Sequence, residues 1–334
     1  VHYMHGLGIV SQYCRNVTMH QVQCAPREGS TRLLASSADF MHFSGCSGKI
    51  SIDSCRFVGA QDDPINVHGT NLRAVERVDD YTLRLRFMHP QSYGFQAFFA
   101  GDTVAFVRPS TMLRYAENVV KTARLLSPRI MEVTFLRPIP KTLQLQSDCV
   151  ENLTCTPEVE ISHCYFSRTS TRGTLVTTPR RVIIRNNTYD YTGMSAILIE
   201  GDASGWYESG PVKDVLIEGN RFVGCAYNGH PSHAVIALNP SNTVVDAHHP
   251  VHQNVRIINN HFVTFSNPVL YAKSTSDLVF KGNEIEESSS VSEKTSKWFV
   301  FDGCNRVLIQ RNRFPIPFTS RAVQFANMKP TFTK

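Results

Sequence analysis

The stretch Arg181-Val182-Ile183-Ile184-Arg185-Asn186-Asn187-Thr188-Tyr189 reads as a short strand, a turn and an aromatic residue. Val182 and Ile184 are separated by a single position, so both fall on one face of a strand. Asn187, two residues before the aromatic, is a type that turns the backbone and can hydrogen-bond to a neighbouring copy. The pattern returns as Val215-x-Ile217-x-x-Asn220-x-Phe222, Val255-x-Ile257-x-x-Asn260-x-Phe262, Leu278-x-Phe280-x-x-Asn283-x-Ile285 and Val307-x-Ile309-x-x-Asn312-x-Phe314. Copies beginning at Ile50 and Val159 carry Cys55 and Cys164 in the asparagine place, and a weaker copy begins at Val17. Each unit ends in a second short strand, such as Ala196–Ile199 or Ala234–Ala237. A strand–turn–strand unit of this size cannot bury its apolar face alone, but stacking hides it in a continuous core. The expected fold is all-β, a parallel β-helix of about eight coils. A β-sandwich of unrelated strands would not repeat Asn-x-aromatic so regularly.

The spacing of the copies sets the domain organisation. The shortest interval, as from Val159 to Val182, is close to one bare coil, whereas the interval from Ile50 to Val159 is several times longer. Subtracting a coil leaves about 80 residues, in which Tyr81–Phe87, Gly101–Val107 and Met131–Phe135 alternate like antiparallel strands. The expected organisation is β-helix over 1–70, a small inserted antiparallel β-barrel or sandwich over 71–148, and β-helix again over 149–334. The chain opens on Val1 without an initiator Met, so the reading is of an inner piece whose first coils precede it.

Composition removes several function classes from the 334 residues. With 42% hydrophobic and 19% charged residues, the chain is not disordered. No apolar run approaches the ~18 residues that span a bilayer. The net charge of +6 is scattered, without a Lys/Arg block, which argues against nucleic acid as a partner. Nine cysteines, without CxxC spacing, fit buried small hydrophobes better than a zinc cluster or a full disulfide framework.

The string with most chemistry is Gln61-Asp62-Asp63-Pro64-Ile65-Asn66-Val67-His68-Gly69. Aligning it with Asp39-Phe40-Met41-His42-Phe43 sets Met41 over Ile65 and Phe43 over Val67, an offset of one coil. Neighbouring strands lie ~4.8 Å apart, so Asp39 falls on the rung beside Asp63, with Asp62 one residue away. Six residues past Phe166, the aromatic of the next coil, Arg172 reaches the same place. Clustered carboxylates hold a proton between them near neutrality. One acid and one base flanking a bond are what glycoside hydrolysis requires. The alternatives are a metal site or a structural acidic turn; calcium would need six to eight oxygen ligands. A second candidate is the segment from Glu200 to Gly210, where Trp206 could stack on a sugar and Glu200, Asp202 and Glu208 could accept from hydroxyls. The alternative there is a loop whose Trp covers the core. His42, Asn66 and His68 alternate outward on the same wall. His248, His249 and His252 lack a fourth ligand, so no metal is expected.

Ala38-Asp39-Phe40, Asp62-Asp63-Pro64-Ile65-Asn66-Val67-His68-Gly69, Arg172-Gly173-Thr174 through Pro179, and Trp206-Tyr207-Glu208-Ser209-Gly210 together resemble glycoside hydrolase family 110, bacterial exo-α-galactosidases. The resemblance implies a right-handed parallel β-helix with a β-barrel insertion and no cofactor or metal. It implies release of terminal α-1,3-linked galactose from blood-group-B-type or linear glycans, with inversion. By that analogy, which extends to the polygalacturonases, Asp62 is the general acid and Asp39 and Asp63 activate water. A secreted, periplasmic or cell-surface protein is then expected. The competing readings are another β-helical glycosidase or lyase, and a non-catalytic carbohydrate-binding β-helix.

Overall fold

The computed structural model describes residues 1–228, 234–265, 267–288, 297–330 and 332. The copies read from the sequence stack in register. Val17, Ile50, Val159, Val182, Val215, Val255, Leu278 and Val307 are successive partners along one parallel eight-stranded sheet. A second parallel sheet of seven strands carries the aromatics Phe57, Phe166, Tyr189, Phe222 and Phe262, with Cys24 and Ile285 in the same place on its outer strands. A third runs from Ile9–Gln12 through Met41–Ser44, Ile65–Arg77, Thr174–Val176 and Ile197–Ile199 to Val323–Ala326. Each coil therefore has three strands, one more than the strand–turn–strand unit expected. The strand that carries the aromatic is three to five residues long and buries one or two side chains, too few to show a period.

The core lies between the three sheets, and two internal columns define it. Phe57, Phe166, Tyr189, Phe222 and Phe262 stack face to face with ring centroids 4.5–5.2 Å apart. Offset stacks of this kind add ~0.5–1.5 kcal/mol per pair beyond burial. The other column is the asparagine ladder. Asn220 Oδ1 accepts from the amide of Asn187 at 2.9 Å and from its Nδ2 at 3.0 Å, while Asn220 Nδ2 donates to the Ile184 carbonyl. The same bonds recur from Asn220 to Asn260, Asn260 to Asn283 and Asn283 to Asn312. Cys164 donates its amide to Asn187, and the Cys55 amide meets the Cys164 sulfur, so the cysteines continue the column. All nine cysteines are unbridged, and seven are buried.

The insertion is a closed barrel. Starting from the outer end of Ile65–Arg77, the strands run in the order Thr82–Arg86, Ile130–Phe135, Leu113–Ser127, Thr103–Arg108 and Cys149–Asn152, and the last returns to pair with Asn71–Arg73. Cys149–Asn152, assigned from the sequence to the β-helix, thus closes the barrel. The 15-residue strand Leu113–Ser127 escaped notice because register shifts interrupt it and its outer half is mostly exposed. Leu72, Leu83, Leu85, Phe106, Phe135 and Val150 fill the barrel apart from the helix core. No helix among the described residues is long and apolar enough to cross a membrane.

Removing one rung of the ladder strands the amide groups beneath it. Asn220→Ala leaves the Asn187 N–H and Nδ2 without their shared acceptor inside the core. Unfolding in urea should then show a loss of about 3 kcal/mol, since each buried orphan costs ~1–3. A loss below about 0.5 kcal/mol would mean that the ladder does not set the stability of the stack.

Candidate active site

The third sheet carries the chemistry. Met41 pairs with Ile65 and Phe43 with Val67, and the Phe40 amide donates to the Asp63 carbonyl, which sets Asp39 beside Asp63. Thr174 pairs with Ile65 on the following rung, bringing Arg172 opposite Asp63. Arg172 Nη2 lies 2.7 Å from Asp63 Oδ2 and 3.7 Å from Asp62 Oδ1. Oxygens of Asp39, Asp62 and Asp63 all approach within 4.8 Å of one another. The sequence register is thus reproduced in space for all four residues.

The three carboxylates differ in their surroundings. Asp63 is 1% exposed and also accepts from Thr171 Oγ1 at 3.3 Å. Asp39 is buried, and its Oδ2 sits 2.7 Å from His42 Nδ1. Asp62 keeps 41% of its side chain in solvent and has no cation within hydrogen-bond distance among the described residues. Burial raises the Asp62 pKa and the Asp39 charge raises it further, against the weaker pull of Arg172. Burial also raises Asp63, with Arg172 working against it and Asp39 and Asp62 adding to it. Burial and mutual repulsion thus favour the protonated form at Asp62 and Asp63, and of the two Asp62 is the one open to solvent.

Behind the trio lie two histidines and two glutamates. His68 Nε2 is 2.9 Å from His42 Nε2, and His68 Nδ1 is 2.6 Å from the Gly69 carbonyl. Glu208, on the short strand Glu208–Ser209 that pairs antiparallel with Gly69 and Thr70, accepts from Asn66 Nδ2 at 3.3 Å. A Cβ at Gly69 would stand 2.4 Å from Ser209 Oγ but 3.5 Å from the Ser209 carbonyl oxygen, so a larger residue would displace that hydroxyl. Burial pushes Glu208 up to about 7, opposed by His42 and helped by Asp39. Glu200 is likewise pushed up to about 7 by burial, against Arg172 and with Glu208 and Asp202 adding to it.

Three of the residues expected to contact substrate make polar contacts within the protein. Both ring nitrogens of His42 and of His68 have partners inside the wall. Both Asp202 oxygens are taken up by the loop itself: they accept from the amides of Ser204, Gly205, Trp206 and Tyr207. That is an Asx-type cap, which the run Asp202-Ala203-Ser204-Gly205 could have signalled. Trp206, held by this cap, is 57% exposed and stacks on His89 of the barrel at 4.4 Å, so it does not cover the core. His89 and Thr171 were not singled out in the sequence. Thr171 adjoins a residue whose register was readable, whereas His89 lies in a barrel loop with no repeat to place it.

Residues 82–150 match the family model described as GLAA-B beta-barrel domain II. Over 98% of its length the chain is 62% identical to alpha-1,3-galactosidase A of Bacteroides fragilis, covering 55% of that protein. It is 40% identical to alpha-1,3-galactosidase A of Akkermansia muciniphila over 85% of the chain and 46% of the relative. Against alpha-1,3-galactosidase B of Bacteroides thetaiotaomicron it is 35% identical over 98% of the chain and 54% of the relative. The chain spans about half the length of the curated relatives it matches. Among solved structures, the tailspike protein gp49 of Pseudomonas phage LKA1 aligns at 10% identity over 97% of this chain and 72% of that chain, with a TM-score of 0.24.

The Asp202 cap has a pH signature. Burial opposes the Asp202 anion, but the loop amides outweigh it and hold its pKa below the ordinary range. Such a group stabilises the fold fully above the unfolded value of ~3.9, and the contribution is lost as pH falls through the folded value. Asp202→Asn, which cannot accept through its nitrogen, should destabilise by about 1–3 kcal/mol at pH 7. Chemical denaturation at a series of pH values should show the gap to wild type closing below about pH 4. A gap that is flat with pH would refute the charge-based cap.

Proposed function

We propose that this chain, a member of the family that contains the alpha-1,3-galactosidases of Bacteroides fragilis and Akkermansia muciniphila, holds the catalytic centre of an exo-acting glycoside hydrolase. Its substrate would be a glycan ending in α-1,3-linked galactose, of blood-group-B type or linear. The observation that carries this reading is the trio Asp39, Asp62 and Asp63 on neighbouring rungs, each carboxylate in a different environment.

The division of labour follows from the partners. Asp62 is the general acid: it is solvent-facing, has a raised pKa and lacks a cation at hydrogen-bond distance among the described residues, so it can protonate the departing glycosidic oxygen. Asp39 and Asp63 each have a positive or potentially positive partner, His42 and Arg172, which holds the carboxylate in place. Between them they would orient a water and take its proton as it attacks the anomeric carbon. Two carboxylates anchored as hydrogen-bond acceptors suit a water better than a covalent bond to sugar, which is why inversion is preferred. Spacing alone would not decide it, because the nearest oxygens are closer than the ~6.5–9.5 Å usual for inverting pairs.

Trp206, braced from behind by His89, is the surface on which a sugar ring would stack, and Glu200 and Glu208 would accept from its hydroxyls. A uronate substrate is disfavoured because Arg172, the cation at the trio, is already committed to Asp63. Such a glycan would be met outside the cytoplasm, which suits a secreted, periplasmic or cell-surface enzyme.

The test uses the full-length protein. Asp62→Asn should lower hydrolysis of a terminal α-1,3-galactoside at least a hundredfold, within the ~10²–10⁴ of general acid catalysis; unchanged turnover would end the assignment. Proton NMR of the first sugar released should show β-galactose, and initial α-galactose would mean retention. Trp206→Ala should raise KM about fivefold with kcat within about threefold, as loss of ~1 kcal/mol of stacking requires. An unaltered KM would remove Trp206 from the sugar site.

A further inference from the structure

The histidine chain behind Asp39 has its protons fixed from the far end. His68 Nδ1 faces the Gly69 carbonyl at 2.6 Å, and a carbonyl only accepts, so that nitrogen carries the proton. His68 is 4% exposed, and burial, the largest cause, pushes its pKa down to about 3, so its Nε2 is a bare lone pair, with Glu208 Oε1 3.5 Å from it. His42 Nε2, 2.9 Å away, must therefore be the donor. The other nitrogen of His42 stands 2.7 Å from Asp39 Oδ2, and a second proton is needed to make that contact favourable. An imidazolium against an ionised Asp39 satisfies every member of the chain. Burial opposes the His42 charge, but Asp39, Glu208 and Asp63 outweigh it and raise its pKa. The groups facing His42 are Asp39 from the segment before its own strand, Asp63, Asn66 and His68 from the next, and Glu208 from the antiparallel strand. All the charged ones are acidic.

We propose that His42 and His68 are positioning residues: through the chain Gly69 carbonyl–His68–His42–Asp39 they keep a positive charge behind Asp39 and fix the orientation of that carboxylate, without touching the sugar. The proposal rests on Asp39 acting as base in the reaction above. Nothing covalent happens in the chain. His68 serves only as the neutral acceptor that obliges His42 to carry both protons.

The experiment measures kcat and KM against pH for the full-length enzyme on a terminal α-1,3-galactosyl disaccharide. His42→Asn keeps an amide donor where Nδ1 was, but removes the charge and the contact with His68. Its kcat should fall about ten- to a hundredfold, as misplacement of a reacting group does. KM should stay within about twofold, and the acid limb of the rate profile should move up by about one pH unit, as loss of an adjacent opposite charge predicts. His68→Gln, which restores an acceptor near Nε2, should recover most of the kcat lost in His68→Ala. An unmoved acid limb in His42→Asn, or a raised KM with normal kcat, overturns the proposal. Wild-type protein gives a reading independent of variant activity: imidazole ¹⁵N shifts, assigned by the signals missing in His42→Asn, should show both His42 nitrogens protonated at pH 7. A neutral His42 also overturns it. Asp39→Asn separates the two failures, because full activity there refutes the base itself, whereas an inactive Asp39→Asn beside a normal His42→Asn refutes only the histidine chain.

Discussion

Asparagine side chains stacked along the axis, each accepting from an amide one coil earlier, fix how one coil sits over the next. A strand slipped by one residue would turn every apolar side chain of that strand outward, so the ladder and the aromatic column reinforce a register that burial already demands. The residue before each ladder position takes a left-handed backbone, as at Asn186, Gly219, Asn259 and Gly282. This sharp corner points the asparagine amide inward. Because the register is rigid, Asp39 and Asp63, a full coil apart in sequence, stand on neighbouring rungs with no local sequence contact between them.

That rigidity is what allows like charges to be held together. Asp39, Asp62, Asp63, Glu200 and Glu208 share one patch with Arg172 and His42, an arrangement that disfavours its own folding through repulsion and lost hydration. The long stacked core and the barrel core, both apart from this wall, offset the cost. Burial first, and repulsion after it, raises the pKa of these carboxyl groups. Each cation is tied to one carboxylate, so acids of the same type acquire different protonation from their immediate neighbours.

How much of this was legible in the sequence depends on whether a residue belonged to the repeat. The eight starts and the pairing of Met41 with Ile65 could be read because period and burial coincide, and Arg172 followed from the same count. The His42–His68 contact could not, since it is made by ring orientation rather than by position along a strand. Trp206 on His89 depends on how the barrel closes, and Leu113–Ser127, the longest strand of that barrel, is broken by bulges that erase its alternation. The Asp202 cap is local instead: both carboxylate oxygens accept from the amides of their own loop, a use that repeat periodicity does not reveal.

The barrel and the site share one strand. Ile65–Arg77 begins just after Asp63, carries Asn66 and His68 along the wall, and ends inside the barrel. Midway, Gly69 gives its carbonyl to His68, and the strand pairs with Glu208 and Ser209. Two residues on, Asn71 donates to the Asp202 carbonyl and takes the Tyr207 carbonyl on its amide, while Arg73 bonds the Tyr207 hydroxyl. The loop bearing Trp206 is thus fastened to the barrel stem by the same few residues that orient the histidines. The Trp206–His89 contact closes the circuit from the barrel's far side. An insertion at this point of the helix is therefore part of the construction of the site: Asp63 and the Trp206 loop inherit their relative position from one continuous strand.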